Sequence, residues 1–174
     1  MVERASGAKL VVGEPSGGPS ERVQTVAELL SHAGFDVSVS ADLRHEIWYK
    51  LWGNMTINPV SAITGATADR ILADPLVRGF CSAVMREAAN IGLKIDCVMQ
   101  QTPEDRHAET AKLGAFKTSM LQDVEAGRAI ELEALVGAVR EIGQRVGVAT
   151  PNIDTLFGLA RLFGRVRGHC PDPA

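Results

Sequence analysis

After Ser40 the sequence stops alternating, and that change of period limits what the chain can fold into. Before it, Lys9-Leu10-Val11-Val12-Gly13 is short, β-branched and closed by glycine, which reads as a strand. Glu14 to Pro19 is a turn. Ser20 suits a helix N-cap, and Val23, Val26, Ala27, Leu29 and Leu30 form a helical stripe that His32-Ala33-Gly34 closes. Phe35 to Ser40 alternates apolar and polar residues and reads as a second strand. Residues 8–40 are therefore strand, helix, strand, and no third strand follows. Two strands and a helix bury too little surface to stand alone. The unit is expected to be the tail of a larger sheet absent from this sequence. Gly13, Gly17 and Gly18 are not spaced as GxGxxG and read as turn glycines rather than a phosphate cradle.

From Asp42, a candidate cap, the chain reads helical. In Glu46 to Pro59, Trp48, Leu51, Trp52 and Met55 fall at i, i+3, i+4 and i+7 on one apolar face. Lys50, Asn54 and Asn58 recur every four residues and make one polar stripe. Ile47, Leu51 and Ile57 lie in or beside that stripe, so it reads as a seam against another part of the protein. A core helix with a snorkelling lysine and two packing asparagines fits the same spacing. Pro59 is expected to kink or stop the helix, with Val60 to Thr64 continuing beyond. Further helices are expected from Thr67, from Pro75 to Gly92 and from Thr102. Ser119-Met120-Leu121-Gln122 matches a capping box, with Ser119 opening the helix. Ile130 to Val146 carries Leu132, Leu135, Val139, Ile142 and Val146 in a three-four rhythm, and Glu131 sits close to that buried stripe. A last helix starts near Pro151, and Arg165 to Ala174 is expected to fray.

The composition, 45% hydrophobic and 22% charged over 174 residues, is that of a globular protein. A net charge of −3 argues against a nucleic-acid surface. Cys81, Cys97 and Cys170 form no CxxC pair, and the histidines are too scattered to complete a zinc set, so no metal site is expected. Three separate cysteines fit a reducing cytoplasm. No apolar run reaches the roughly 18 residues of a membrane span, and Met1-Val2-Glu3-Arg4 does not open a signal peptide.

Taken in order, these residues resemble the ketopantoate reductase (2-dehydropantoate 2-reductase) family. The series runs from Gly34-Phe35-Asp36-Val37 through Trp48-Tyr49-Lys50-Leu51, Asn54 and Asn58-Pro59. It continues with Ser119-Met120-Leu121-Gln122-Asp123, Gly127-Arg128, Glu131, Gly137 and Thr150-Pro151. The resemblance covers about Lys9 to Phe163 and corresponds to the later part of such an enzyme. It implies a mainly α fold: residues 1–41 are the end of a Rossmann nucleotide-binding domain, a βαβ remnant. Residues 42–174 are the helical substrate and catalytic domain, 6-phosphogluconate-dehydrogenase-like. It implies NADPH as cofactor of the full-length enzyme, with no cofactor-binding residue in this chain, and a small 2-keto acid as substrate. Lys50 then matches the catalytic lysine and Glu131 the glutamate that supports it and the substrate. Asn54 and Asn58 match substrate-holding amides, and Ser119 a serine that binds the substrate carboxylate. Phe116 departs from the pattern, standing where a polar substrate-facing residue is expected. The chain is then a fragment or truncated product, expected to form a homo-oligomer through its unpaired strands. The other reading is a non-catalytic helical dimerisation or binding module, or a relative acting on another 2-keto acid.

Overall fold

The computed structural model describes Lys9 to Cys170. Pro171 and Pro173, part of the tail expected to fray, lie outside those residues. The chain divides into two compact units, Met1–Trp48 and Tyr49–Ala174.

In the first unit β1 (Lys9–Val12) and β2 (Asp36–Val39) pair in parallel, Leu10 opposite Val37 and Val12 opposite Val39. A parallel pair needs a crossover, and α1 (Glu21–His32) supplies it. Ser20 caps α1 by accepting from the Val23 amide. Val23 and Ala27 are its buried residues, so the sheet has one helix on it. Val11, Val39, Val26, Leu29 and Phe35 remain exposed. The turn between β1 and α1 is packed against its own unit: a Cβ at Gly13 would lie 2.7 Å from the Ser40 carbonyl oxygen.

The regular elements among the second unit's described residues are all helices. α2 (Leu43–Thr64) begins in the first unit, with Asp42 accepting from the His45 amide, and runs through Pro59 without a break. Proline removes one helical hydrogen bond, but Met55, Thr56, Ser61 and Ala62 are buried around it, so packing rather than propensity holds this stretch. Trp52 donates its indole N–H to the Met85 carbonyl of α4 (Pro75–Lys94) at 2.7 Å. Trp52, Met55, Met85, Ile91, Val136 and Leu156 are among the most deeply buried side chains. Short α3 (Ala68–Ala73) precedes α4, and α5 (Pro103–Ala111) follows with a full Thr102–Asp105 capping box.

Beyond the uninterrupted passage of α2 through Pro59, where a kink or stop is expected, three details differ from the sequence reading. In α6 (Ser119–Glu125) the cap is Thr118, not Ser119: the Thr118 hydroxyl accepts from the Leu121 amide. The Gln122 side chain turns away to the Lys117 carbonyl, so no capping box closes on Ser119. The long helix expected from Ile130 opens on a π-helical turn, Glu133–Gly137, before α7 (Ala138–Val146). The segment after α8 (Pro151–Val166) does not fray through its described length. His169 is buried, its carbonyl accepts from the Ile130 amide at 3.0 Å, and its ring Nδ1 lies 2.8 Å from the Arg128 carbonyl. A tail polar in sequence is thus tied to the irregular run that leads to Glu131.

Candidate functional site

Along α2 the polar stripe is graded in burial. Lys50 is exposed and forms no ion pair with any described residue. Asn54 is half-buried one turn later, and Asn58 is buried a turn beyond that. Both asparagines line a cleft of about 220 Å³. Its other polar wall is Arg106, Glu109 and Thr118, and Ile57, Leu113 and Phe116 make the apolar side. Neither asparagine amide hydrogen-bonds another described residue. Each therefore keeps two donors and an acceptor for whatever enters, and a buried amide left without such a partner costs about 1–3 kcal/mol.

The other predicted residues stand outside that lining. Ser119 is exposed at the first turn of α6, next to Thr118, which is in the cleft. Glu131 is exposed, two residues before the π-helical turn, and its carbonyl accepts from the Leu135 amide. The site therefore gathers Asn54 and Asn58 directly, with Lys50 one helical turn from Asn54. Phe116 lines the cleft, held there by the bond from the Ala68 amide to its carbonyl at 2.9 Å.

Four residues that sequence reasoning left aside complete this face. The Tyr49 phenol oxygen lies 2.7 Å from Gln101 Oε1 and 3.0 Å from Glu109 Oε2, its one proton serving either. Gln101 also donates to Glu109 at 2.9 Å, and Arg106 Nη1 pairs with Glu109 at 3.1 Å. The guanidinium stacks over the Tyr49 ring at 4.8 Å. Hydrogen bonds from Gln101, Tyr49 and Arg106 hold the Glu109 carboxyl below its ordinary range. Burial, then the Glu109 bond, pushes the Tyr49 phenol up. Gly53 makes the arrangement possible: a Cβ there would lie 2.6 Å from Arg106 Nε. A glycine inside a helix signals such a close approach, but nothing in the sequence names the partner. The Thr102–Asp105 box fixes where α5 starts, hence that Arg106 and Glu109 share a face, without saying which face of α2 they meet.

No cluster of histidine, cysteine or carboxylate side chains among the described residues could hold a metal ion. No helix among them is long and apolar enough to cross a membrane.

Residues 42–163 match the family model described as ketopantoate reductase PanE/ApbA, C terminal. A 2-dehydropantoate 2-reductase of Mesorhizobium japonicum is 42% identical over 168 residues, covering 97% of this chain and 52% of the relative. Among solved structures, a Ralstonia solanacearum protein assigned to the ketopantoate reductases superposes with a TM-score of 0.90 at 54% identity, covering 94% of this chain and 50% of that one. The 2-dehydropantoate 2-reductase of Methylococcus capsulatus does so with a TM-score of 0.85 at 31% identity, covering 91% and 55%. The chain thus spans about half the length of the relatives it matches. A helical unit with an asparagine-lined cleft on α2, preceded by a parallel strand pair, and a family match over most of its length place this chain in the ketopantoate reductase family, as its C-terminal part.

Proposed function

We propose that this chain is the C-terminal part of a reductase that converts a 2-keto acid, 2-dehydropantoate, into the 2-hydroxy acid. Residues 1–41 are the end of its nucleotide-binding domain and residues 42–174 its substrate domain. The observation that carries this reading is the pair of free amides, Asn54 and Asn58, opening into a cleft one turn beyond an exposed lysine, in a chain of this family. NADPH bound to the full-length enzyme would supply hydride to the carbonyl carbon. The described residues do not fit that nucleotide: Gly13, Gly17 and Gly18, in the turn after β1, lack the GxGxxG spacing that cradles its phosphates. The groups that do fit belong to the substrate side. As the carbonyl carbon is reduced, its oxygen takes the electron pair of the double bond and needs a proton. The Lys50 ammonium donates that proton. Asn54 and Asn58 orient the acid; the family pattern assigns its carboxylate to Ser119 and the support of lysine and substrate to Glu131, two exposed residues outside the cleft lining.

The test is NADPH oxidation by the full-length protein with 2-dehydropantoate and other 2-keto acids. Lys50→Ala should lower turnover about 10²-fold or more, the usual scale for losing a general acid, with NADPH affinity unchanged. Near-normal turnover in that variant would remove Lys50 from the role. A wild-type protein that reduces no 2-keto acid would refute the reductase and leave a helical binding or dimerisation module.

A further inference from the structure

The walls of the cleft differ in what they leave free. On the α5 side the polar groups are engaged with their neighbours. Glu109 accepts from Gln101 on one oxygen and from Arg106 on the other. The Thr110 hydroxyl donates to the Arg106 carbonyl at 3.0 Å, and Arg106 Nε is buried against Gly53. Thr118 is buried, its hydroxyl accepting from the Leu121 amide. The remaining side is hydrocarbon. Ile57 is buried there, but Leu113 and Phe116 line the cleft while 59% and 42% exposed. The Phe116 backbone is held at both ends. Its N–H donates to the Gly114 carbonyl at 2.7 Å, closing a three-residue turn, and its carbonyl accepts from the Ala68 amide at 2.9 Å. Gly114 has a φ of 62°, the left-handed conformation that glycine adopts freely. Two neighbouring apolar side chains exposed on one cleft wall, one of them fixed by its backbone, mark a binding surface.

We propose that Phe116, with Leu113 and Ile57, sets the substrate class of this cleft: 2-keto acids whose group beyond the reacting carbonyl is hydrocarbon throughout. This rests on the reductase reading above and narrows it. The entering acid brings three oxygens at its reacting end, two on the carboxylate and one on the ketone. The unengaged donors of Asn54 and Asn58, with Lys50, meet those oxygens. The rest of the molecule lies on Ile57, Leu113 and Phe116, and covering that exposed hydrocarbon is favourable. These three side chains offer no hydrogen bond. A hydroxyl carried there gives up its water partners and gains none in return. A second carboxylate is worse placed still. Glu109 already neutralises Arg106, the one cation of the described lining, and is itself a held carboxylate. 2-Dehydropantoate still enters this cleft, but its hydroxyl is the group the wall does not suit. The acid with the same carbon skeleton and no hydroxyl is taken in preference.

The experiment compares two acids that differ only in that hydroxyl, 3,3-dimethyl-2-oxobutanoate and 2-dehydropantoate, with 2-oxoglutarate as the dicarboxylic control. Wild-type full-length protein should prefer the deoxy acid by about 10- to 100-fold in kcat/KM, the scale on which an apolar pocket rejects an added hydroxyl. 2-Oxoglutarate should rank last. Phe116→Asn should bring the ratio of the first two acids close to one, lowering the value for the deoxy acid and raising the other. Leu113→Asn, at the more exposed position, should narrow the ratio as well and tests the same wall should the first variant fail to fold. Phe116→Leu keeps the wall apolar and should keep the ratio. A ratio unchanged in the asparagine variants overturns the wall as the determinant and leaves the reductase intact. A ratio lost in Phe116→Leu too overturns apolarity as its basis. A wild-type ratio of one or below, or preferred turnover of 2-oxoglutarate, overturns the assigned class. A wild-type protein that reduces none of the three acids overturns both readings.

Discussion

His107 shows how one buried side chain can set a pH limit. It is buried on α5, its Nε2 2.9 Å from the Ser82 hydroxyl of α4, and burial depresses its affinity for a proton. Glu104 pulls the other way and loses to that burial, while Arg78 and Arg86 add to it. The unfolded chain then takes up a proton near the ordinary imidazole value, about 6.5, where the folded chain does not. Stability from this residue is full above that pH and is lost as pH falls through the folded value. Urea midpoints at pH 7.5 and pH 5.5 should therefore separate in the wild type, and His107→Gln should narrow the separation. An equal separation in both would exclude His107 as the source. At the same scale, the shared stripe of Lys50, Asn54 and Asn58 on α2 was legible in the sequence, because a four-residue repeat on a helix leaves one geometric outcome. Arg106 was not, because its meaning depends on Tyr49 and Gly53, more than fifty residues earlier in the chain.

The elements were legible wherever a local signal decided them. Ser20, Asp42 and Thr102 each cap the helix that the sequence assigned to them. The misplacement by one residue at α6 has a physical cause: threonine and serine are both good caps, and the pattern of a glutamine three residues on pointed to the wrong one. The two neighbours can now be separated. Thr118→Ala should cost about 1 kcal/mol of stability, the usual loss of a cap. Ser119→Ala should leave stability unchanged and instead raise KM for the keto acid in the full-length protein. Denaturant midpoints and steady-state kinetics read the two losses independently, and equal destabilisation by both variants would return Ser119 to a structural part. Other ends of helices are not local at all. The first turn of α8 is capped from α4, where Glu87 accepts from the Asn152 and Ile153 amides at 3.0 and 2.9 Å. Sixty-five residues separate donor and acceptor, beyond the reach of any window along the sequence.

On the scale of the whole chain, the two strands and one helix described in the first unit leave β1 and β2 each with an edge that no other described residue pairs. Such edges pair with other strands when they can. This chain by itself should therefore associate through them, and light scattering should report a dimer or larger species. A clean monomer would refute that pairing. It should also fail to bind NADPH, since no described residue offers a phosphate cradle, and a micromolar affinity by fluorescence titration would show that the nucleotide site had been misplaced. The π-helical turn at Glu133–Gly137 sets the angle of the chain before it. A turn of this kind amounts to one residue inserted into an α-helix, and each residue of α-helix accounts for about 100° of rotation. Removing the exposed Ala134 would restore ordinary helical winding while leaving α7 in register with the core. Glu131 would then swing roughly a quarter of a turn about the helix axis. The carboxylate's bearing is thus written as an insertion in the chain rather than as the identity of any residue, and alignment column by column would pass over it.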